Sequence, residues 1–495
     1  MRLVTCGSAI LVSLLLHGCA ASPDAPSPFT GFYKNYANCR ADYAAMDQRV
    51  DAAGVRDAAF YRVPGYPYLR TDRMHASFRN EVKGLNDVSE WVRRMRELDQ
   101  ESRDYEYINL GMSELDAAIQ RDYFLNCGRI LAAIELEDPE RWAAMIEVVY
   151  PPDAYSGIKR ALGLYPLMAP LMKARIEAAH EDAASAYVAA AESAPMPEAM
   201  RLWTVKPQQD LSLLDDAGDK VNVNMLGYPE LYGSQWSALA ERHAPNLLIE
   251  TADDNDVPAV PVLAVDGPSA DVTQPKVYYQ INYTRFGSAK LVQISYSIWF
   301  KAAPGAARGP IDGILWRVTL DRHLSPMVYE SLHASGSDHH WYLVQALKVR
   351  TAVEGEPAFI APEPAPASGA ALYLQQGSHA LQRVVAVEQA RSALTQRYEL
   401  THYEGLYTLP APGGGTRSLF GPDGLVAGSY GVDPIGGWSS GIHRPGALRQ
   451  QGHHAIAHVG RRHFDDPYLL EATFVAPAAR AGTDVGLAEP GRAHP

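Results

Sequence analysis

The spacing of apolar residues predicts helices in the first two-fifths of the chain. In the segment "DVSEWVRRMREL", apolar residues recur at intervals of three and four positions, which is the period of one face of a helix. These residues are Val88, Trp91, Val92, Met95 and Leu98. Because aromatic and methionine stripes of this kind mostly fill protein interiors, we interpret them as core and not as a cofactor site.

Two further segments carry helix start signals. Ser113 precedes "ELDAAIQRDYFL", and Asp138 with Pro139 opens "EDPERWAAMIEVVY", so both helices have an N-cap residue. The first of these helices has apolar residues at Leu115, Ile119 and Tyr123. The alanine-rich segment "EDAASAYVAAAESA" is also predicted to be helical.

From about residue 205 the pattern changes to β-branched and aromatic runs separated by turn residues. "KVYYQINYTRF" and "LVQISYSIWF" flank "GSAK", and "GILWRVTLD" and "PMVYESLHA" flank a second turn. "LYLQQGSHALQRVVAV" predicts a third hairpin that turns at Gly377 and Ser378, and "YLLEATFV" predicts a last strand. Residues 409–450 are rich in glycine and proline and predict irregular structure. The chain is therefore predicted to be α+β, with a helical N-terminal half and a largely antiparallel β C-terminal half.

The N-terminus has the pattern of an export signal. It reads "MRLVTCGSAILVSLLLHGCAAS", and its apolar run from Ala9 to Leu16 is too short for a membrane-spanning helix, which needs about 20 residues. The run ends in "LHGCA", which resembles the lipobox of bacterial lipoproteins. This resemblance implies cleavage before Cys19 and acylation of that cysteine, and Ala20 implies sorting to the outer membrane. An ordinary secretory signal that is cut nearby, with Cys19 incidental, is the alternative.

These patterns predict five regions. They are a lipoprotein signal peptide at 1–18, the lipidated Cys19 with a flexible tether at 19–31, a helical domain at 32–200, a β-rich domain at 201–476 and a disordered tail at 477–495. The tether is predicted from the proline-rich "AASPDAPSPFT". The predicted location is the inner leaflet of the outer membrane, with the protein facing the periplasm on its lipid anchor.

Charge and cysteine content narrow the class of protein. The formal net charge of −13 argues against a broad nucleic-acid footprint and against electrostatic adhesion to anionic lipid, so the acyl anchor is the expected membrane contact. The signal peptide removes Cys6, and lipid occupies Cys19. The two remaining cysteines, Cys39 and Cys127, predict one disulfide in an exported chain, with two buried thiols as the alternative.

Histidine is concentrated in the last third of the chain. Twelve of the 16 histidines lie between His323 and His494, and they form two clusters. One is "SLHASGSDHHWYLV", with His333, Asp338, His339 and His340; the other is "GHHAIAHVGRRHFDDP", with His453, His454, His458, His463, Asp465 and Asp466. Imidazole and carboxylate are ligands of zinc and other divalent transition metals.

The spacing within these clusters leaves the metal hypothesis open. His454 and His458 would share the face of a helix, but on a strand they would lie about 13 Å apart. The candidate ligands are His333, His339, His340, His454 and His458, with Asp338 as a catalytic base or a partner of a ligand. Surface or hydrogen-bonded histidines near strand ends are the alternative interpretation.

Two other motifs carry residues with candidate functions. "GWSSG" fits the pattern G-x-S-x-G with Ser439 as nucleophile, but the preceding strand and following helix that this motif requires are not predicted. The tyrosine-rich hairpins predict either an aromatic binding face or a filled sheet core. The residues concerned are Tyr278, Tyr279, Tyr283, Tyr296, Trp299 and Trp341.

Most of the chain is similar to a family of uncharacterised bacterial cell-envelope lipoproteins. The similarity rests on "YYQINYTRFG", "DGILWRVTLD", "MVYESLHASGSDHH", "RSLFGPDGLV" and "ALRQQGHHAIAHVGRRHFDDP", with "YRVPGYPYLRTDR" and "ALGLYPL" in the helical half. The resemblance brings no established activity. It implies an H-x-C-G-C-x-H pattern at the first histidine cluster, where this chain has Ser335 and Ser337, so thiolate chemistry is not expected at that loop.

Two functions are therefore expected. The first is metal-dependent hydrolysis of an envelope component, in which a bound ion lowers the pKa of a water molecule. The second is a non-catalytic envelope binding or assembly role that uses the aromatic sheet. Converging imidazoles would favour the first, and an exposed aromatic patch would favour the second.

Overall fold

A computed structural model describes residues 30–192, 197–215, 221–302, 309–350, 355–390, 392, 394–429 and 438–476. The predicted signal peptide, Cys19 and the predicted tail at 477–495 lie outside the described residues. The division into a helical and a β-rich domain stays a prediction. The fold class is confirmed: helices dominate the N-terminal half, and one large sheet dominates the C-terminal half.

The helices begin where the sequence provides caps. Ser113 accepts a hydrogen bond from the Asp116 N–H, and Asp138 accepts one from the Glu140 N–H, as predicted. The helices are α1 Thr30–Ala53, α2 Arg73–Ala76, α3 Leu85–Asn109, α4 Glu114–Leu136, α5 Pro139–Val148, α6 Gly157–Leu162, α7 Tyr165–Glu192, α8 Gln235–Arg242 and α9 Leu469–Thr473.

The strands follow the period-two pattern of the sequence. They are β1 Tyr61–Val63, β2 Tyr66–Thr71, β3 Met200–Val205, β4 Asn222–Val223, β5 Pro229–Glu230, β6 Asn246–Glu250, β7 Val260–Ala264, β8 Gly267–Asp271, β9 Lys276–Phe286, β10 Ala289–Lys301, β11 Ile311–Leu320, β12 Pro326–His333, β13 His340–Leu343, β14 Phe359–Ile360, β15 Ala370–Leu374, β16 Leu381–Ala386, β17 Leu394–His402, β18 Leu409–Pro410 and β19 Thr416–Arg417. The three predicted hairpins are confirmed as the antiparallel pairs β9–β10, β11–β12 and β15–β16.

The main sheet joins these hairpins into one layer. Its order among the described residues is β14-β13-β12-β11-β10-β9-β17-β3-β6-β15-β16. β17 pairs in parallel with β3 on one side and with the first residues of β9, Lys276 to Tyr279, on the other. Beyond Tyr279, β17 gives way to a 3₁₀ turn at Tyr403–Tyr407, so the second half of β9 pairs only with β10.

The two faces of the central strands differ in chemistry. One face is apolar: Ile294, Tyr296 and Ile298 of β10 pack with Trp316 of β11 in a core that is covered by α7 and α8. The opposite face is apolar only at its ends, where Trp299 and Leu332 pack against the segment 403–476. Its middle is polar, with buried Gln293, Ser295, Arg317, Thr319 and Glu330. Strand alternation produces this division, and the polar middle requires partners from the covering segment.

The helical half has its own core. α1, α3 and α4 surround β2, and Trp91, Met95 and Tyr107 are fully buried in it. The predicted disulfide is confirmed: Cys39 of α1 and Cys127 of α4 are bonded, with their Cα atoms 5.3 Å apart. Tyr228 belongs to the same core although it lies in the C-terminal half, so the two halves share packing.

Two sequence interpretations were wrong, and one hairpin was not predicted. Leu115, Ile119 and Tyr123 of α4 are exposed, because contacts with α1 and α3 bury the neighbouring stripe that contains Phe124 and Leu131. The segment "YLLEATFV" forms α9 and not a strand, because Leu469, Leu470 and Phe474 turn into the core beside β9. The short hairpin β1–β2 inside the helical half was missed.

Of the two interpretations of the tyrosine-rich hairpins, the filled sheet core is confirmed and the aromatic binding face is not. Five of the six predicted residues are at most 4% exposed and fill the two sheet cores, and only Tyr283 is partly exposed. A group of exposed apolar residues lies instead on α6 and the start of α7. It consists of Ile158, Leu162, Leu164, Leu167 and Leu171. Across the described residues, no helix combines the length and apolar character needed to cross a membrane.

The disulfide predicts a measurable loss of stability when it is removed. It closes a segment with a sequence separation of 88 residues, so in the chain-entropy description it stabilises the folded state by about 4 kcal/mol. We expect the Cys39→Ser, Cys127→Ser double variant to unfold at a clearly lower urea concentration than the oxidised protein. Wild-type protein kept in reductant is the matched control and should unfold with the variant; a variant as stable as oxidised protein would contradict the prediction.

Candidate functional site

A cluster of polar and titratable side chains surrounds one opening between the two halves of the chain. It is a cleft of about 420 Å³ at the half-paired end of β9. Its walls come from the segment around α2, from α3 and α8, and from the segments 402–404 and 451–465. The cleft exists because β17 leaves β9 at Tyr279, which opens the sheet edge where the helical half packs.

The floor of the cleft is a network of amides and hydroxyls on the polar sheet face. Asn282 donates to Ser295 Oγ over 3.1 Å and to Gln451 Oε1 over 3.4 Å. Gln451 in turn donates to Ser297 Oγ over 3.2 Å. Gln280 Oε1 has no hydrogen-bond partner among the described residues, and an unsatisfied buried acceptor costs about 1–3 kcal/mol. The floor therefore retains hydrogen-bonding capacity at a cost to stability.

Glu101 of α3 carries the carboxyl group with the most unusual electrostatics in the cleft. Burial raises its pKa to about 7, and the nearby negative charges of Glu404, Asp57, Asp104 and Asp72 act in the same direction. Burial also raises the pKa of Glu404. Within the part of the chain that the structure describes, neither glutamate forms an ion pair with lysine or arginine, and Glu404 Oε2 lies 3.9 Å from His402 Nδ1. A carboxyl group such as Glu101, buried near another carboxyl group and without an arginine or lysine partner, suits a proton donor that works near neutral pH.

A carboxylate–imidazole pair lies on the opposite wall. Asp72 caps α2, and its Oδ1 accepts from the backbone N–H of His75 and, over 2.9 Å, from His75 Nδ1. Burial raises the pKa of Asp72, but the imidazole of His75 and the backbone N–H groups of His75 and Met74 together lower it more, so the net direction is down. Because an ionised carboxylate only accepts, Nδ1 carries a proton, which leaves Nε2 as the ring nitrogen that can take up another. This tautomer gives His75 the form of a general base.

Two arginines hold the remaining polar groups in place. Arg73 pairs with Asp465 over 3.1 Å. Arg317 forms a bidentate pair with Glu330 over 2.7 and 2.5 Å, and Glu330 also accepts from His339 Nε2 over 2.9 Å. The first pair joins the helical half to the C-terminal segment, and the second joins two neighbouring strands of the sheet, so that both fix the walls of the cleft.

The predicted metal ligands are dispersed over separate partners. His339 is bound to Glu330 behind the cleft, and His333 Nε2 donates to Asp312 over 2.7 Å. The ring of His340 lies 4.2 Å from that of Phe359 in a tilted arrangement, and burial lowers the pKa of His340 to about 4. The predicted base Asp338 is an exposed residue with a left-handed φ of 58°.

His454 and His458, the predicted ligands of the second cluster, also have separate partners. His454 is fully buried, its Nε2 lies 3.1 Å from the Ala334 carbonyl oxygen, and burial lowers its pKa to about 3. The backbone N–H of His458 donates to Glu356. Among all described residues, no group of three or more histidine, cysteine, aspartate or glutamate side chains is arranged to hold a metal ion. The alternative interpretation, hydrogen-bonded histidines near strand ends, fits these positions.

The side chains of Ser439 and Ser335 form hydrogen bonds that hold loops together. Gly437 of the "GWSSG" motif lies outside the described residues, and Ser439 Oγ donates to the Gly163 carbonyl oxygen over 2.8 Å. Ser335 Oγ lies 2.7 Å from His333 Nδ1, but the Ser335 backbone N–H points at the same nitrogen over 3.1 Å. Ser335 is 6% exposed, so this contact closes the loop and does not present a nucleophile.

Sequence reasoning missed Asp72, His75, Glu101 and Glu404. Asp72 and His75 are three positions apart in "TDRMH", a spacing that a capping argument could have found. Nothing local distinguishes Glu101 from the other acidic residues of its helix. Its role depends on Glu404, which is about 300 positions later in the chain.

Comparisons of this chain with family models, with curated proteins and with solved structures found no match. The similarity to envelope lipoproteins therefore stays a prediction, and the site is interpreted from its own geometry.

The raised pKa of Glu101 predicts a pH-dependent penalty on stability. The folded state binds the Glu101 proton more tightly than the unfolded chain, whose glutamates titrate near 4.5, so stability falls as pH rises from about 4.5 to about 7. We expect Glu101→Gln to raise the free energy of unfolding by about 1–3 kcal/mol at pH 8 and to leave it nearly unchanged at pH 4.5. Urea unfolding at the two pH values measures both quantities.

Glu97→Gln is the matched control for this variant. Glu97 lies one turn earlier on α3, its side chain is half exposed, and it pairs with Arg93. We expect it to show no gain that depends on pH. An equal effect of Glu101→Gln at both pH values would contradict the proposed environment of Glu101.

Proposed function

We propose that this protein is a hydrolase that cleaves a glycosidic bond of a neutral or cationic saccharide in the cleft between its two halves. The observation that carries the proposal is the position of Glu101 beside Glu404, without a cationic partner among the described residues, opposite the Asp72–His75 pair. One group can supply a proton near neutral pH, and the other can accept one.

The reaction assigns one role to each group. His75 Nε2 takes a proton from a water molecule as that water attacks the anomeric carbon, and Asp72 stabilises the imidazolium that forms. Glu101 gives its proton to the leaving glycosidic oxygen, so the bond breaks without releasing an alkoxide. The protons balance when His75 returns its proton to solvent and Glu101 takes one up. Glu404 takes part in neither proton transfer; burial first, and then the charge of Glu404, favour the protonated form of Glu101.

The walls of the cleft suit a saccharide. Aromatic side chains of Phe60, Trp236 and Tyr283 offer flat apolar surfaces, and the floor offers amides, hydroxyls and guanidinium groups. This combination matches a sugar ring, which has apolar C–H faces and a rim of hydroxyls.

Charge restricts the class of saccharide. Four carboxyl-bearing residues line the cleft, Asp72, Glu101, Glu404 and Asp465, against the two arginines Arg73 and Arg317. The whole chain also carries a formal charge of −13. Because like charges repel, an anionic glycan is disfavoured and a neutral or amino sugar is favoured.

The proposal replaces the metal-dependent route with a carboxylate and imidazole route, because the predicted ligands are engaged by separate partners. The location remains the one that the sequence predicts: an outer-membrane lipoprotein, anchored through acylated Cys19, which acts on an envelope saccharide in the periplasm. The alternative is a protein that binds such a saccharide without cleaving it, which the extensive polar floor also favours.

The decisive experiment separates binding from turnover. Neutral and amino-sugar oligosaccharides are incubated with the protein, new reducing ends are counted, and binding is measured by calorimetry. We expect Glu101→Gln to lower kcat by about 10²–10⁴-fold while it retains ligand affinity. Glu97→Gln, on the same helix but outside the cleft, should keep full activity. Binding without new reducing ends in the wild-type protein would establish the non-catalytic alternative; no binding would reject both.

The pH profile tests the role of Glu404. Glu101 must be protonated to act as an acid, so activity should fall as pH rises above about 7. Glu404→Gln removes a negative charge that raises the pKa of Glu101, and the alkaline limb should therefore move to lower pH. A limb that stays in place or moves upward would contradict this role.

A further inference from the structure

A second cavity lies on the other face of the sheet, under α7. Its volume is about 340 Å³, within the usual range for small-molecule sites, and it shares no lining residue with the cleft. Ala183, Ala186 and Tyr187 of α7 form one wall, and Ile314, Tyr342 and Phe359 belong to the sheet side. Ala186 is exposed, so the cavity opens at the helix surface.

His333 and His379 line its inner wall, and both contact aspartates that are not among the lining residues. His379 lies 3.4 Å from Asp256 and 3.2 Å from Asp312, and Asp312 also accepts from His333 over 2.7 Å. Burial lowers the pKa of His379 and the two aspartates raise it more, so the net direction is up. Both histidines of the inner wall are thus paired with carboxylates outside the lining, and they carry no unpaired charge that decides the charge of a ligand.

The mouth carries a carboxylate that does line the cavity. Asp338 is exposed at the rim, where Ser337 Oγ donates to it over 2.8 Å. His340 beside it is neutral, because burial lowers its pKa to about 4. No lysine or arginine is among the described residues that line the cavity. The site is therefore apolar and aromatic in its body and negative at its rim, where Asp338 lies.

We propose that this cavity binds a small organic cation: a primary or substituted ammonium group on a compact apolar body. The ammonium group would lie near Asp338 and the aromatic rings, where carboxylate attraction and cation–π attraction add. The apolar body would fill the space between α7 and the sheet. The inference is independent of the saccharide cleft, since the two sites have no residue in common.

The experiment compares three probes of one shape at pH 7: benzylammonium, benzyl alcohol and benzoate. Isothermal titration calorimetry of the full chain measures each affinity. We expect benzylammonium to bind at least about fivefold more tightly than benzyl alcohol, and benzoate to bind most weakly. Equal affinity for the three probes, a preference for benzoate, or no binding of any probe would overturn the proposal.

Two variants locate the site. Asp338→Asn should reduce the preference for benzylammonium over benzyl alcohol to less than about twofold, because it removes the rim charge; asparagine also tolerates the left-handed φ of this position. Ala186→Phe should abolish binding of all three probes by filling the cavity from the exposed helix surface. Ala178→Phe, at an exposed position on α7 outside the lining, is the matched control and should bind as wild type.

Thermal unfolding of each variant verifies that it is folded. A folded Ala186→Phe variant that still binds benzylammonium would place the binding elsewhere and overturn the assignment to this cavity.

Discussion

The structure depends on the polar middle of one face of its central sheet. Arg317, Glu330 and Gln293 lie there at 4% exposure or less, so leaving them without partners would cost several kcal/mol. Arg317 is satisfied by Glu330 and by the Phe464 carbonyl oxygen, and Gln293 by Thr319. These bonds explain why a C-terminal segment with little regular structure is ordered over the sheet. They also explain why a polar floor, rather than an apolar core, meets the helical half at the cleft.

A buried ion network fixes the helical half in the same way. Arg70 of β2 pairs with Asp99 over 3.2 Å and with Glu106 over 2.8 Å, and Arg103 pairs with Asp99 over 2.8 Å. All four side chains are almost completely buried, so each charge needs its partner, and the network tolerates one arrangement of β2 against α3. That arrangement sets the position of Glu101 on α3 relative to Asp72, which directly follows β2. The proposed acid and base are thus held by elements whose relative position is restricted by charge pairing.

The two buried glutamates of the proposed site lower the stability of the folded state and supply the proton that the proposed reaction needs. Glu101 and Glu404 face one cleft without a lysine or arginine partner in the described chain, whereas the carboxylates of the ion network are paired. The negative charges of Glu101 and Glu404 repel each other, and this repulsion destabilises the folded state. Functional sites commonly carry such a cost in stability. The second cavity differs, because His379 contacts both Asp256 and Asp312 beside it. Asp338 at the rim is then the carboxylate that can attract a ligand.

The sequence by itself determined the local features: the capped starts of α4 and α5, the three hairpins, the disulfide pair and the α+β class. These depend on neighbours within a few residues, or on a simple count of cysteines, so the information is contained in short segments. Only the tertiary structure decided which stripe of α4 is buried, that residues 469–473 are helical, and that the aromatic residues of the sheet fill its cores. It also separated the predicted histidine ligands and brought Glu101 beside Glu404. Burial and electrostatic field depend on contacts between residues hundreds of positions apart, and no short pattern in the chain encodes them.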